Sequence, residues 1–311
     1  MGILAARENG FLVIDKPEGV TSHEVVQLVR RRIGIRKVGH LGTLDPLATG
    51  VLPMAVGKAT RLIQFMKDSE KNYEGTIYLG IATDTYDREG QILARNDVPD
   101  LTAEQLQTLA TELLGPQSQI PPAFSAKKIG GVPAYRLARK GKPVEMAPQQ
   151  IVIRQLEFSK RSAFEIDFCI WCSAGTYVRT LASDFGKRLG CGAHLSRLRR
   201  RSSGEFSLSQ AIPPEVLAAA DQALLEERLI PVSEVLKSVP VLEVDLKAKE
   251  SLAHGRPFDW SLPQGISALP ASLRVFFEGE LIGLVEPLSA AGVESAPEAL
   301  FQKFQPRIVL V

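Results

Sequence analysis

Short apolar runs alternate with turn-rich stretches along the chain, and the period of the apolar positions changes from run to run. Gly10-Phe-Leu-Val-Ile-Asp15 is a continuous apolar run that reads as a buried strand, closed by the turn residues Lys16-Pro-Glu-Gly19. Thr21 with Glu24 three residues on makes a capping box. Val25, Leu28, Val29 and Ile33 then recur at helical spacing up to Gly34. Residues 38–49, rich in Gly, Thr, Asp and Pro, read as a loop that feeds a second buried strand at 50–56. Alternation predicts strands over 73–81, 151–158 and 164–172, and a capped helix over 102–114 ends at Gly115. A helix opening at Gly175-Thr-Tyr runs to Leu189, where Gly190 stops it. Further helix is expected near 214–228, and from about 240 the pattern is one of short strands, with a hairpin at 274–285 turning on Glu278-Gly279. The sum is a mixed α/β domain over 1–239 and a small β-rich domain over 240–311. The segment 121–148 has Pro, Gly and basic residues but no long period, and is expected to protrude as an insertion.

Length and composition narrow the function classes. A chain of 311 residues can bury a sizeable core. It has no run of ~18 apolar residues that would span a membrane, and its first residues lack a leader pattern, so a cytoplasmic protein without membrane association is expected. Three cysteines do not make a secreted disulfide framework. The net charge of +2 hides an asymmetry. Residues 1–214 carry 29 basic against 21 acidic side chains, and 215–311 carry 8 against 14. Within the basic part, Lys127, Lys128, Arg136, Arg139, Lys140 and Lys142 occur with no acid among them, and Arg197, Arg199, Arg200 and Arg201 form a second cluster. Both are candidate faces for a polyanion, against the plainer reading of solvated surface charge.

Several motif fragments lead nowhere. Gly57-Lys58 lacks the earlier glycine and the following Ser/Thr of a phosphate-binding loop, and His23-Glu24 lacks the second histidine of a zinc protease. The acid-rich 83–90 stretch misses the calcium-loop positions and reads as a turn between strands. Cys169-x-x-Cys172 with Cys191-x-x-His194 has the spacing of a structural zinc site. However, residues three apart on a strand face opposite ways, so free cysteines and no bound metal are expected.

The loop Gly39-His-Leu-Gly-Thr-Leu-Asp45-Pro-Leu-Ala-Thr-Gly50-Val-Leu-Pro sets one carboxylate between a glycine-rich stretch and a buried strand. Taken by itself, an Asp before Pro in a loop is more often a turn residue than a catalyst. With Leu12-Val-Ile-Asp-Lys-Pro-Glu-Gly-Val-Thr-Ser22, Lys71-Asn-Tyr73, Thr83-Asp-Thr-Tyr-Asp87, Pro121-Pro-Ala-Phe-Ser-Ala-Lys127, Ser173-Ala-Gly-Thr-Tyr-Val-Arg179 and Gly192-Ala-His-Leu-Ser-Arg-Leu-Arg199, the loop resembles the TruB family of tRNA pseudouridine(55) synthases, in the family's order over nearly the whole chain.

The resemblance implies a pseudouridine synthase catalytic domain with the 121–148 insertion as a thumb, and a PUA-like C-terminal domain. It implies a tRNA substrate, bound at its T stem-loop, whose uridine 55 is flipped into a pocket and attacked by Asp45. It further implies that Tyr73 stacks on the flipped base, that Arg179 pairs with Asp45, that Leu198 forms a pocket wall, and that His40 stacks within the remodelled T loop. Breaking a glycosidic bond and rejoining carbon to carbon involves no net redox change, so no cofactor is expected, and no obligate protein partner. The acidic 215–311 region departs from what an RNA-binding C-terminal domain would show. Two rival readings are a tRNA-folding module without chemistry and a guide-RNA-dependent synthase within a larger complex. Intact Asp45, Tyr73 and Arg179 speak against the first, and the lack of basic or repetitive tails against the second.

Overall fold

The computed structural model describes residues 9–141, 144–261, 270–288 and 301–311. Of the positions singled out above, Lys142 and the first eight residues lie outside these. In chain order the elements are β1 (Gly10–Lys16), α1 (Ser22–Ile33), β2 (Val38–His40), β3 (Thr49–Val56), the one-turn α2 (Ile63–Met66), β4 (Lys71–Leu79), β5 (Ile81–Thr83), β6 (Ile92–Arg95), α3 (Ala103–Glu112) and β7 (Gly115–Gln119). There follow β8 (Lys128–Ile129), β9 (Val132–Pro133), α4 (Ala134–Ala138), β10 (Gln149–Lys160), β11 (Glu165–Cys172), α5 (Val178–Arg188), β12 (Ala193–Ser203), β13 (Phe206–Ser207), α6 (Pro214–Ala219) and α7 (Gln222–Arg228). The C-terminal part holds β14 (Val241–Glu243), α8 (Leu246–Ala253), β15 (Phe258–Ser261), β16 (Leu273–Phe277), β17 (Glu280–Pro287) and β18 (Phe301–Val309).

A nine-stranded mixed sheet runs β1-β3-β12-β4-β11-β10-β7, with β2 added on β3 and β13 on β12. On one face, α1 and α5 pack their apolar stripes against it. Val25, Val26, Val29 and Ile33 of α1 and Leu181 and Phe185 of α5 are buried with Leu12, Leu52 and Ile77 of the strands. Each such side chain contributes about 1.5–3 kcal/mol by burial. The first helix has the ends its sequence requires. Thr21 and Glu24 cap each other's backbone, and Gly34 takes the left-handed conformation at φ 75° that releases the chain. On the opposite face, Phe11, Val13, Val51 and Ala55 pack with Leu281, Leu284, Ile308 and Leu310. The C-terminal sheet, ordered β14-β16-β17-β18-β15, is therefore seated on the larger one by apolar contact. The chain is thus a mixed α/β protein with a β-rich, PUA-like C-terminal part.

Several elements differ from the pattern. The 38–49 loop begins with the short strand β2, which pairs Val38–His40 with Met54–Val56. The strand expected over 73–81 stops at Leu79, because Gly80 turns at φ 81° and Ile81 starts the separate pair β5-β6. The helix expected over 214–228 breaks at Ala220, whose ψ of 136° is extended, and restarts with Asp221 capping Leu224. The C-terminal part contains α8, which its pattern of short strands conceals. The 121–148 insertion is not a bare loop: β8, β9 and α4 form a small hairpin and helix. Largest of all is β12, which joins β3 to β4 in the sheet interior and whose Ala-His-Leu-Ser-Arg-Leu-Arg-Arg-Arg-Ser-Ser sequence resembles an exposed basic tract.

Candidate active site

The loop between β2 and β3 is fixed residue by residue. Ser22, the first residue of α1, both donates to Leu44 O (2.9 Å) and accepts from Leu44 N (2.8 Å). Lys16, fully buried, donates from Nζ to Pro46 O (3.1 Å), Pro17 O (2.8 Å) and Val20 O (2.7 Å), and Gly19 N also donates to Pro46 O (2.9 Å). Burial pushes the Lys16 ammonium down to about 8, with the negative charge of Asp45 opposing the fall. Ala48 N closes a turn on Asp45 O at 3.0 Å. The Asp45 side chain stands between these anchors and is 36 % exposed, open to a ligand on one side.

Its other side meets Arg179, 5 % exposed in the first turn of α5. Arg179 Nε lies 2.8 Å from Asp45 Oδ2 with its N–H directed off the oxygen, while Nη2 donates to Oδ1 at 3.3 Å. The guanidinium is itself held by Thr85 O (3.0 Å), Phe124 O (2.9 Å) and a second, buried carboxylate, Asp87, at 3.4 Å. Asp87 is fixed in turn by Thr85 Oγ1 (2.6 Å) and Glu89 N (3.0 Å). One arginine thus bridges the Asp45 loop, the β5-β6 connection and the root of the insertion. A planar fork with five donors is suited to this, whereas an ammonium is not.

The strand partners β4 and β12 bring two further expected residues to one face. Tyr73 pairs with Arg200 and Gly75 with Leu198, and Tyr73 and Leu198 are each 8 % exposed in the same apolar cluster. Burial raises the Tyr73 phenol above its ordinary value, with the Arg200 charge opposing, so the hydroxyl stays protonated. His40, at the end of β2, is half-buried; its Nδ1 accepts from Gly42 N at 3.3 Å. Burial and then the Arg200 charge lower its imidazole below the usual value, which keeps it neutral near pH 7.

Three participants escape the hydrophobic pattern. Asp87 lies in what reads as a surface turn, and its sequence signal is the Thr83-Asp-Thr-Tyr-Asp87 segment of the family resemblance. Tyr177, two positions before Arg179, has its phenol raised by burial, with Ser125 pulling it back and the Arg179 and Asp45 charges also acting on it. Arg200, grouped in sequence with three exposed-looking arginines, is 1 % exposed. Of the cysteines, Cys172 shares the apolar cluster of Tyr73. Cys169 and Cys172 face opposite sides of β11, one exposed and one buried, and burial pushes the Cys172 thiol up to about 11. His194 Nδ1 lies 2.9 Å from Ile81 O. Among the described residues no group of three or more His, Cys, Asp or Glu is spaced to hold a metal.

Comparison with known proteins agrees over most of the chain. Residues 30–178 match the family model described as TruB family pseudouridylate synthase (N terminal domain), and residues 179–237 match that of the tRNA pseudouridylate synthase B C-terminal domain. A protein named tRNA pseudouridine synthase B from Dechloromonas aromatica is 42 % identical over 279 residues, 90 % of this chain and 91 % of that one. One of the same name from Geobacter sulfurreducens is 45 % identical over 250 residues, 80 % and 82 % of the two chains. In fold, the chain resembles a crystal structure of a Cbf5-Nop10-Gar1 complex with a TM-score of 0.71 at 24 % identity, covering 97 % of this chain and 84 % of that one. With two consecutive family models and relatives of this identity and coverage, the chain belongs to the TruB family of pseudouridylate synthases.

Proposed function

We propose that the protein isomerises a uridine of tRNA to pseudouridine, that its target is uridine 55 in the T loop, and that Asp45 attacks the flipped nucleotide. The observation that carries this reading is the state of Asp45, a carboxylate one-third open to a ligand and gripped from behind by a buried arginine. Such a pairing fixes which lone pairs face the substrate. In this reading Tyr73 stacks on the flipped base with its hydroxyl protonated, Leu198 forms the apolar wall beside it, and neutral His40 meets the opened T loop. Tyr177 and Asp87 complete the surroundings of Arg179. The reaction needs a nucleophile, a held base and a proton transfer, all of which these side chains can supply.

The insertion is the proposed thumb. Arg136 and Arg139 lie over the Tyr135 ring at 5.9 and 5.6 Å, an aromatic flanked by cations that suits a nucleic acid. We also propose that residues 1–239 form the catalytic unit and 240–311 the PUA-like one, since a separate sheet begins at Val241. The decisive experiment is Asp45→Asn. Asn is nearly isosteric and keeps the loop's hydrogen bonds, but its amide is not an anionic nucleophile. Pseudouridine formation on an unmodified tRNA transcript should fall to background, with tRNA affinity within roughly three-fold of wild type. Turnover at a few per cent of wild type, with deamidation excluded by mass spectrometry, would remove Asp45 from the role.

A further inference from the structure

Among the described residues Arg200 is the largest fully buried side chain, and no carboxylate there pairs with it. Burying an unpaired guanidinium is costly, so its hydrogen bonds must hold something that matters. They hold both ends of the Asp45 loop. Nε donates to Val51 O at 2.7 Å, just after the loop enters β3, and Nη2 donates to Gly42 O at 3.0 Å, three residues before Asp45. The approach is as close as backbone allows. Arg200 pairs with Gly50 in the parallel ladder, and Gly50 has φ +100° and no room for a side chain, because a Cβ there would lie 2.3 Å from Arg200 O. The same strand position faces Tyr73 on β4. Of the other members of the cluster, Arg199 pairs with Asp15 (2.7 Å), Arg201 pairs with Glu74 (3.3 Å), and Arg197 is exposed.

We propose that Arg200 is a positioning residue of the pseudouridine reaction, which clamps the two stems of the Asp45 loop and sets them against Tyr73 from beneath. This rests on the assignment of Asp45 as nucleophile. Ser22 and Lys16 fix the loop at Leu44 and Pro46, but neither reaches both stems. A single planar fork spanning Gly42 and Val51 fixes the distance between the stems, and with it where the loop holds Asp45. An ammonium cannot donate to both carbonyls along the same two directions. Displacement of a reacting group by as little as ~1 Å costs on the order of 100-fold in rate, while the outer surface that binds RNA is unchanged.

The experiment compares Arg200→Lys, Arg200→Gln, Asp45→Asn and wild type, measuring thermal unfolding, affinity for an unmodified tRNA transcript, and the single-turnover rate at saturating enzyme. Arg200→Lys and Arg200→Gln should bind tRNA within about three-fold of wild type and lose at least ~10-fold in single-turnover rate, Gln the more. Amide hydrogen exchange in the 42–51 loop should speed up in both variants while exchange in α1 and α5 stays as in wild type. A single-turnover rate within two-fold of wild type in either variant overturns the proposal. So does a loss of tRNA affinity that matches the loss of rate in both, since Arg200 would then only support the fold. The Asp45→Asn arm separates the two levels: activity there removes the nucleophile assignment, whereas an inert Asn beside fully active Arg200 variants removes the clamp alone.

Discussion

Replacing Arg179 by Lys keeps a cation beside Asp45 but removes the fork that also reaches Thr85 O, Phe124 O and Asp87. The carboxylate would be free to rotate. The single-turnover rate should fall by about 10- to 100-fold, between wild type and Asp45→Asn, with tRNA affinity little changed. A rate equal to wild type would mean that charge alone suffices. Lys71 poses a different question at the same scale. It is 6 % exposed, donates to Lys67 O at 2.8 Å and to Ser69 O, and burial pushes its ammonium down to about 8 from 10.5. Because the folded value lies below the unfolded one, the unfolded chain binds more protons between pH 8 and 10.5, and unfolding free energy rises with pH across that window. At ~1.4 kcal/mol per pH unit the ceiling is about 3 kcal/mol. Urea unfolding should therefore show the stability of wild type minus that of Lys71→Met increasing from pH 8 to 10.5. A difference that stays level or shrinks would place the lysine in water.

At the level of elements, legibility followed physical cause. The helix α1 could be read because capping, apolar period and terminal glycine all agree, and β1, β10 and β11 because their inward positions are apolar. β12 could not, since its inward side chains include Arg200, a buried cation satisfied by two backbone carbonyls that no periodicity announces. The insertion was legible as an interruption but not as a structured one. Its hairpin is only two residues a side, and its root is fixed by tertiary hydrogen bonds, Tyr135 N to Ser125 O at 3.0 Å and Ala134 N to Lys127 O at 2.8 Å. Those bonds decide where it can be cut. Phe124 O holds Arg179, so a deletion that takes residues 124–127 disturbs the arginine that holds Asp45. Replacing 128–146 by a short Gly/Ser linker should leave the melting temperature within a few degrees and weaken tRNA binding by roughly 10-fold or more. The rate at saturating enzyme should fall less than the affinity does. Unchanged affinity would show that the insertion does not grip RNA.

Across the whole molecule the charge is divided as the fold is. The C-terminal sheet is seated by Leu281, Leu284, Ile308 and Leu310 against β1 and β3, and its region is the acidic one. Arg274 is buried against the carbonyls of Ser233, Val235 and Val239, and Arg307 pairs with Glu286, so neither is free for phosphates. In the catalytic part Arg199 and Arg201 are engaged by acids and Arg200 is buried, so of the 197–201 cluster only Arg197 remains exposed and without an acid. The electrostatic grip on tRNA should then come mainly from the insertion, where Lys128, Arg136, Arg139 and Lys140 are all exposed. Each phosphate contact contributes ~0.7–0.9 to the slope of log affinity against log salt. Changing those four residues to Gln should flatten the slope by about 3, while changing exposed Lys247 and Lys303 to Gln should leave it within about 0.5 of wild type. The expected picture is a steep wild-type line, a shallow line for the insertion variant and two superimposable lines for wild type and the C-terminal variant. If the C-terminal variant flattened the slope as much as the insertion variant did, the acidic region would be a principal RNA-binding surface despite its net charge, and the thumb would have to share the role proposed for it.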